Sequence, residues 1–134
     1  MNPFLWRVRV YYEDTDAAGV VYYANYLRYL ERARTEWLRA LGLGQERLRR
    51  EAGVLFAVRS AELHFDAPAR LDDELAVSVA VAERGGASLT FAQAIERVSP
   101  PGRVVRARVR VACLDAERLR PRRLPPALIR ELMK

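Results

Sequence analysis

Three carboxylates fall within four residues at Glu13, Asp14 and Asp16, and they are followed at once by Gly19, the pair Tyr22 and Tyr23, and a segment of helical periodicity. That order has a chemical use. The first backbone N–H groups of a helix lack internal partners and, with the positive end of the helix dipole, face whatever precedes them. They can polarise a carbonyl oxygen and hold the oxyanion that forms when the carbonyl is attacked. A nearby Asp can act on the same carbonyl as nucleophile, or as general base on water. Acyl transfer or hydrolysis is the reaction class this pattern predicts. Two plainer readings compete with it. An acid before a helix is commonly an N-cap or a solvated loop charge. Asp14-x-Asp16-x-Ala18-Gly19 also approaches a calcium loop, but Ala18 stands at the fifth position and Asn25 at the twelfth, where that loop needs a ligand and a bidentate Glu. No metal site is expected.

The elements that must position these residues are legible around them. The run LWRVRVYY at 5–12 alternates as a strand does, with Val8 and Val10 on one side. The chain turns at Gly19. From Ala24 to Leu41, Tyr26, Leu30, Ala33, Trp37 and Leu41 recur at steps of three or four, with Leu27 and Leu38 widening the stripe, which predicts a helix of about five turns ended by Gly42. Its other face carries Arg28, Glu31, Arg32, Glu36 and Arg39, with Arg32–Glu36 and Glu31–Arg34 spaced for ion pairs. Gln45 to Ala52 predicts a second, short helix closed by Gly53. Four strand-like runs follow, at 54–66, 74–83, 87–98 and 103–114. Gly85-Gly86 and Ser99-Pro100-Pro101-Gly102 supply turns between them. Leu75, Val77, Val79 and Val81 form a period-2 face, as do Leu89, Phe91 and Ile95 with Gln93 between them. A short helix with proline at its start is expected from Pro125. The fold class is α+β: a curved five-stranded antiparallel sheet wrapped on one long helix.

At 134 residues the chain is expected to be one domain, 1–134, burying around two-thirds of its unfolded surface. It has no apolar run of about 18 residues, and MNPFLWRVRV is broken by Arg7 and Arg9, so neither a membrane span nor a signal peptide is expected. A cytoplasmic location follows. The chain carries 23 Lys+Arg against 17 Asp+Glu, a formal charge of +6, and Lys134 is its one lysine. Excess positive charge suits an anionic partner. Coenzyme A qualifies through its phosphates. Nucleic acid is not expected, because Arg106, Arg108 and Arg110 alternate with Ala107, Val109 and Val111 as the solvent face of a half-buried strand does, and no nucleic-acid motif accompanies them. Cys113, the single cysteine, continues the apolar face of Val105 to Val111 and is assigned to the core. His64, the single histidine, falls on the Glu62, His64, Asp66 face, opposite Leu63 and Phe65, which gives it a surface or interface role.

The stretch DTDAAGVVYYANYLRYLERARTEWLRALG at 14–42 closely resembles the motif of hotdog-fold acyl-CoA thioesterases of the 4-hydroxybenzoyl-CoA thioesterase type, especially the branch associated with the Tol-Pal envelope system. APARLDDEL at 67–75, RGGASLTFAQ at 84–93 and RPRRLP at 120–125 extend the resemblance along the chain. It implies a hydrolase that splits an acyl-CoA, or an acyl group on acyl carrier protein, into a free acid and the thiol. No cofactor is implied. Carried over, it makes Asp16 the catalytic carboxylate and the backbone N–H of Tyr23 the donor to the thioester carbonyl, with Gly19 allowing close approach of the chain. The Tol-Pal branch usually has His where this chain has Tyr23, so a mechanism needing imidazole there is excluded. Arg84 and Ser88, flanking the glycine hairpin, and the basic tail of Arg120, Arg122 and Arg123 are the candidate coenzyme A contacts. The resemblance further implies a homodimer or homotetramer with each active site at a subunit interface. Three alternatives stand beside it: a catalytic carboxylate on the long helix, at Glu31 or Glu36; a hydratase, for which His64 is poorly placed; and a non-catalytic protein that binds acyl-CoA or acyl carrier protein. Tyr22, Tyr23, Tyr26 and Tyr29 suggest an aromatic-lined surface.

Overall fold

The computed structural model describes residues 3–134; Met1 and Asn2, part of the expected domain, lie outside the described residues. Strands β1 (Phe4–Arg9), β2 (Val54–Phe65), β3 (Glu74–Arg84), β4 (Ser88–Arg97) and β5 (Gly102–Asp115) form one sheet in the order β1-β3-β4-β5-β2, with every neighbouring pair antiparallel. Helix α1 (Tyr26–Ala40) packs on one face of it; α2 (Gln45–Ala52) and α3 (Pro126–Leu132) are short. The expected strands are all present. Their ends move by at most one residue, apart from β1, which stops at Arg9 because Tyr12–Asp14 closes a 3₁₀ turn instead of continuing the alternation.

The sheet curves because three positions carry an extra residue. Pairing slips between Val58 and Ser60 of β2, between Val81 and Glu83 of β3, and between Ile95 and Glu96 of β4, where both Val104 and Val105 of β5 turn inward. Such bulges bend a strand and increase its twist. The concave face holds α1. Tyr29, Leu30 and Ala33 of the helix are fully buried, as are Leu75 and Val77 of β3, Ile95 of β4 and Cys113 of β5. Trp37 meets Phe91 edge-on at 5.4 Å. Each such buried aliphatic side chain contributes about 1.5–3 kcal/mol.

One polar residue belongs to this core. Gln93, on the inner face where the strand periodicity set it, donates from Nε2 to the carbonyls of Leu30 and Ser78, both at 3.2 Å, and accepts Arg34 Nη1 at 3.0 Å. It fastens α1 to β3 and β4. Burial pushes the Arg34 guanidinium below its ordinary pKa, with the charge of Glu31 opposing.

The helix differs from expectation in three ways. It begins at Tyr26, because Tyr23–Asn25 winds as a 3₁₀ turn. Tyr29, not Leu27, completes the buried stripe: Leu27 is 45% exposed and Tyr29 fully buried. On the outer face Glu36 pairs with Arg39 and not Arg32, while Arg34 turns inward to Gln93, away from Glu31. Gly42 does end the helix, at φ 78°, with its N–H on the carbonyl of Arg39.

Candidate active site

The acidic segment and the start of α1 are held together by a short hydrogen-bonded turn. The Asp16 N–H donates to the carbonyl of Val20 at 2.9 Å, and the Gly19 N–H to the carbonyl of Asp16 at 3.0 Å. Gly19 has φ 78°, a conformation that L side chains seldom adopt, which is why glycine closes this turn. Asp16 Oδ1 accepts the N–H of Ala18 at 2.9 Å. Its other carboxylate oxygen has no partner among the described residues, and no cation pairs with it there. The Asp16 side chain is therefore oriented by its own loop and exposed, with one oxygen unbonded among the described residues.

A second segment clamps the loop from outside. Val21 N–H donates to the carbonyl of Ala69 at 2.8 Å, Leu71 N–H to the carbonyl of Gly19 at 3.2 Å, and Val20 bridges Arg70. The Ala69 N–H in turn donates to the Tyr26 hydroxyl at 3.1 Å. Burial raises the Tyr26 phenol above its ordinary pKa; the Ala69 N–H opposes this, and the charges of Asp16 and Asp73 add to it. The phenol stays neutral beside Asp16.

Tyr23 opens the 3₁₀ turn that leads into α1. The Tyr22 N–H donates to the Asp14 carbonyl and the Asn25 N–H to the Tyr22 carbonyl, whereas the Tyr23 N–H has no acceptor among the described residues. This N–H lies on the 3₁₀ turn before α1, one residue ahead of Ala24, where the periodicity set the helix start. The ring of Tyr23 stands 5.0 Å from Tyr22 and 6.3 Å from Phe65, and Phe65 lies 5.9 Å from Tyr26. Tyr22, Tyr23 and Phe65 are more than half exposed, so an aromatic surface does flank the loop. Tyr26 and Tyr29 are core residues instead.

Two of the three acids separate sharply in role. Asp14 is 8% exposed and has both carboxylate oxygens bound, while Glu13 and Asp16 face solvent. Glu36 is committed to Arg39; Glu31 is exposed, with no ion pair among the described residues. His64 is a surface residue whose Nε2 meets Glu62 at 3.0 Å. Cys113 is buried, its thiol pushed above the ordinary pKa by burial.

The candidate coenzyme A residues divide between two faces of the Gly85–Gly86 hairpin. Arg84, Arg122 and Arg123 line a hollow of about 990 Å³ next to Val54. Arg122 is partly engaged there, through Nη1 to the Gly53 carbonyl at 3.1 Å and to Asp115 at 3.3 Å. Ser88 lies on the other side, with Arg59 and Arg110, in a hollow of about 330 Å³. Pattern reasoning set Tyr26 on the helix stripe and in the aromatic surface but passed over its hydroxyl contact, and it gave no part in the site to Asn25 or Ala69. Only the stretch APARLDDEL pointed to the last of them, and without a reason.

A curved antiparallel sheet on one long helix is the architecture of the hotdog fold, shared by the solved thioesterase structures below. The sequence pattern of the Thioesterase-like superfamily matches residues 10–132, and the chain belongs to that superfamily. Among particular proteins, it is 45% identical to the acyl-CoA thioester hydrolase YbgC of Escherichia coli O6:H1, over 96% of this chain and 94% of the relative. It is 44% identical to the acyl-CoA thioesterase YbgC of Haemophilus influenzae, over 92% and 90%. A probable thioesterase from Bartonella henselae superposes with a TM-score of 0.85 at 35% identity, over 92% of this chain and all of that one. An aspartate-to-asparagine variant of 4-hydroxybenzoyl-CoA thioesterase, complexed with 4-hydroxybenzoyl-CoA, superposes with a TM-score of 0.88 at 27% identity, over 97% of each chain. The protein is an enzyme of the thioesterase class.

Proposed function

We propose that this protein hydrolyses acyl-CoA to a free acid and coenzyme A, with Asp16 as the reacting carboxylate and the Tyr23 N–H as the donor to the thioester oxygen. The observation that carries this is the pairing, on one hydrogen-bonded loop, of an Asp16 oxygen and a Tyr23 N–H that have no partner among the described residues. The carbonyl oxygen of the substrate accepts the Tyr23 N–H, which draws charge from the carbonyl carbon and holds the oxyanion as it develops. On the general-base route Asp16 takes a proton from water as the water oxygen attacks that carbon; the C–S bond then breaks and the thiolate of coenzyme A takes up a proton. On the nucleophilic route Asp16 attacks first, the thiolate leaves, and water hydrolyses the resulting anhydride. An aspartate with no cationic partner among the described residues suits either route. An acyl group on acyl carrier protein presents the same thioester.

The phosphates of coenzyme A require cations, and Arg84 and Arg123 at the large hollow have no ion pair among the described residues. Within one protomer that hollow is remote. The Asp16 loop sits by the Phe65 end of β2, through Tyr23 and Tyr26, and the hollow by the Val54 end, and these 12 residues span about 40 Å of extended strand. β2 is an edge strand of the sheet. Antiparallel pairing of β2 with a second copy of itself brings the Phe65 end of one protomer beside the Val54 end of the other. The site we propose therefore uses Asp16 and Tyr23 of one protomer and the arginine hollow of its partner, in a homodimer that can pair again into a tetramer.

The resemblance of residues 14–42 supports the Tol-Pal-associated branch. No helix among the described residues is long and apolar enough to cross a membrane. The location we propose, on the resemblance of the sequence, is the cytoplasm. The test is thiol release from a panel of short, long and aromatic acyl-CoAs by wild type and Asp16→Asn. Loss of turnover in the variant is expected. Saturable binding without thiol release in the wild type would instead identify a non-catalytic acyl-CoA-binding protein.

A further inference from the structure

Asp14 is buried and carries three hydrogen bonds that reach three different points of the site. Its Oδ2 accepts the N–H of Tyr11 at 2.8 Å, before the 3₁₀ turn that leads into the loop. Its Oδ1 accepts Asn25 Nδ2 at 2.9 Å, at the entry to α1. Its carbonyl accepts the N–H of Tyr22 at 3.0 Å, the residue immediately before Tyr23. Asp16 lies two residues beyond Asp14, and Tyr23 lies between the two residues that Asp14 holds. The chain from Tyr11 to Asn25 is thus tied at its two ends and at Tyr22 through a single side chain and its own carbonyl. A buried carboxylate is unfavourable unless its lone pairs are satisfied, and here both oxygens are.

We propose that Asp14, through its hydrogen bond with Asn25, is a positioning residue that sets the distance between the Asp16 carboxylate and the Tyr23 N–H. The proposal rests on Asp16 and Tyr23 being the reacting pair. Asp14 touches no substrate; its effect passes through the loop. The catalytic carboxylate is held on the loop side of this tie and the oxyanion donor on the helix side, so the tie governs how well both meet one carbonyl. A misplacement of about 1 Å at such a site costs on the order of a hundredfold in rate.

The experiment compares wild type with Asn25→Ala, Asn25→Asp, Asp14→Asn and the exchanged pair Asp14→Asn/Asn25→Asp. Steady-state thiol release from one acyl-CoA is measured at a temperature where each variant is folded by circular dichroism. Asn25→Asp sets two carboxylates face to face, Asp14→Asn sets two amides face to face, and Asn25→Ala removes one donor without changing charge. The exchanged pair restores a donor to an acceptor, while the amide oxygen introduced at position 14 still accepts the Tyr11 N–H. The expected result is a kcat about tenfold or more below wild type in the single variants with KM within about threefold, and recovery of most of that kcat in the exchanged pair. Asn25→Ala and the exchanged pair decide the matter if the charged singles do not fold. A folded Asn25→Ala with wild-type kcat overturns the proposal, as does a folded exchanged pair no faster than Asn25→Ala. A purely structural role would lower the unfolding temperature and leave kcat of the folded protein unchanged. Asp16→Asn is assayed alongside: if it retains turnover, the assignment of Asp16 fails; if it is inactive while Asn25→Ala keeps full kcat, only the role of Asp14 fails.

Discussion

The hydroxyl oxygen of Tyr26 accepts the backbone N–H of Ala69 at 3.1 Å, with both residues buried, and so joins the first turn of α1 to the segment that clamps the Asp16 loop. Replacing Tyr26 by Phe leaves that buried N–H without an acceptor, at a cost of about 1–3 kcal/mol. Chemical denaturation is expected to register this as a lower midpoint with an unchanged slope. Turnover is expected to fall in parallel, because Val21 and Leu71, the neighbours of Ala69 in the clamp, hold the loop itself. Tyr29→Phe is the control. The Tyr29 hydroxyl is buried beside Asp14 and Asn25, which act on its pKa, yet it closes no well-formed hydrogen bond among the described residues, so its removal is expected to change stability by less than about 1 kcal/mol.

Gly19 separates conformational from steric effects. A Cβ there meets nothing within 4 Å, yet φ is 78°. Gly19→Ala is therefore expected to cost about 1 kcal/mol from backbone strain alone. The loop carries the strain, so kcat is expected to drop more than stability does. A loss well above about 3 kcal/mol in equilibrium unfolding would contradict the open space beside this glycine.

Cys113 is expected to be inert in the native protein. It is fully buried, its Sγ lies 3.7 Å from the Arg123 carbonyl, and burial raises its pKa, so at neutral pH it is a thiol and not the reactive thiolate. Alkylation with iodoacetamide at about pH 7.5 should be slow until denaturant unfolds the chain. Rapid native-state modification, with wild-type turnover destroyed, would contradict a buried, inert Cys113.

A site shared between two copies makes a prediction that no single-protomer site can make. Asp16→Asn removes the carboxylate from one protomer and Arg122→Glu/Arg123→Glu spoils the hollow of the other. Unfolded together and refolded as a mixture, the two inactive proteins should regain activity, since each mixed dimer keeps one Asp16 opposite one intact hollow. About a quarter of wild-type turnover is expected from random pairing, in which half the dimers are mixed and each holds one good site. No recovery, with mixed dimers present by native mass spectrometry, contradicts the shared site.

Much of this architecture was legible because sheet faces alternate with period two. Leu75, Val77 and Val79 need no knowledge of their partners to be placed inward, and Gln93 falls on the same face by count alone. What the chain did not disclose were choices between neighbours of equal merit. Glu36 has an arginine four residues before it and another three after, and the structure selects Arg39. Leu27 and Tyr29 both lie within reach of the helix stripe, and which one is buried depends on where the sheet ends. Asp14 and Asp16 look alike in DTD; only Tyr11 and Asn25, three and eleven residues from Asp14, show that one of them is bound on both carboxylate oxygens. The Arg122 contact to Gly53 spans 69 residues, beyond any local pattern.

The central claim is that Asp16 does the chemistry. Thiol release from acyl-CoA by Asp16→Asn, measured beside Glu31→Gln and Glu36→Gln, tests it most directly. A fall in kcat of about a hundredfold or more is expected for Asp16→Asn with its fold intact, and near-wild-type turnover for the other two. Full turnover in Asp16→Asn, or loss in Glu31→Gln or Glu36→Gln instead, would contradict it and move the catalytic carboxylate onto α1.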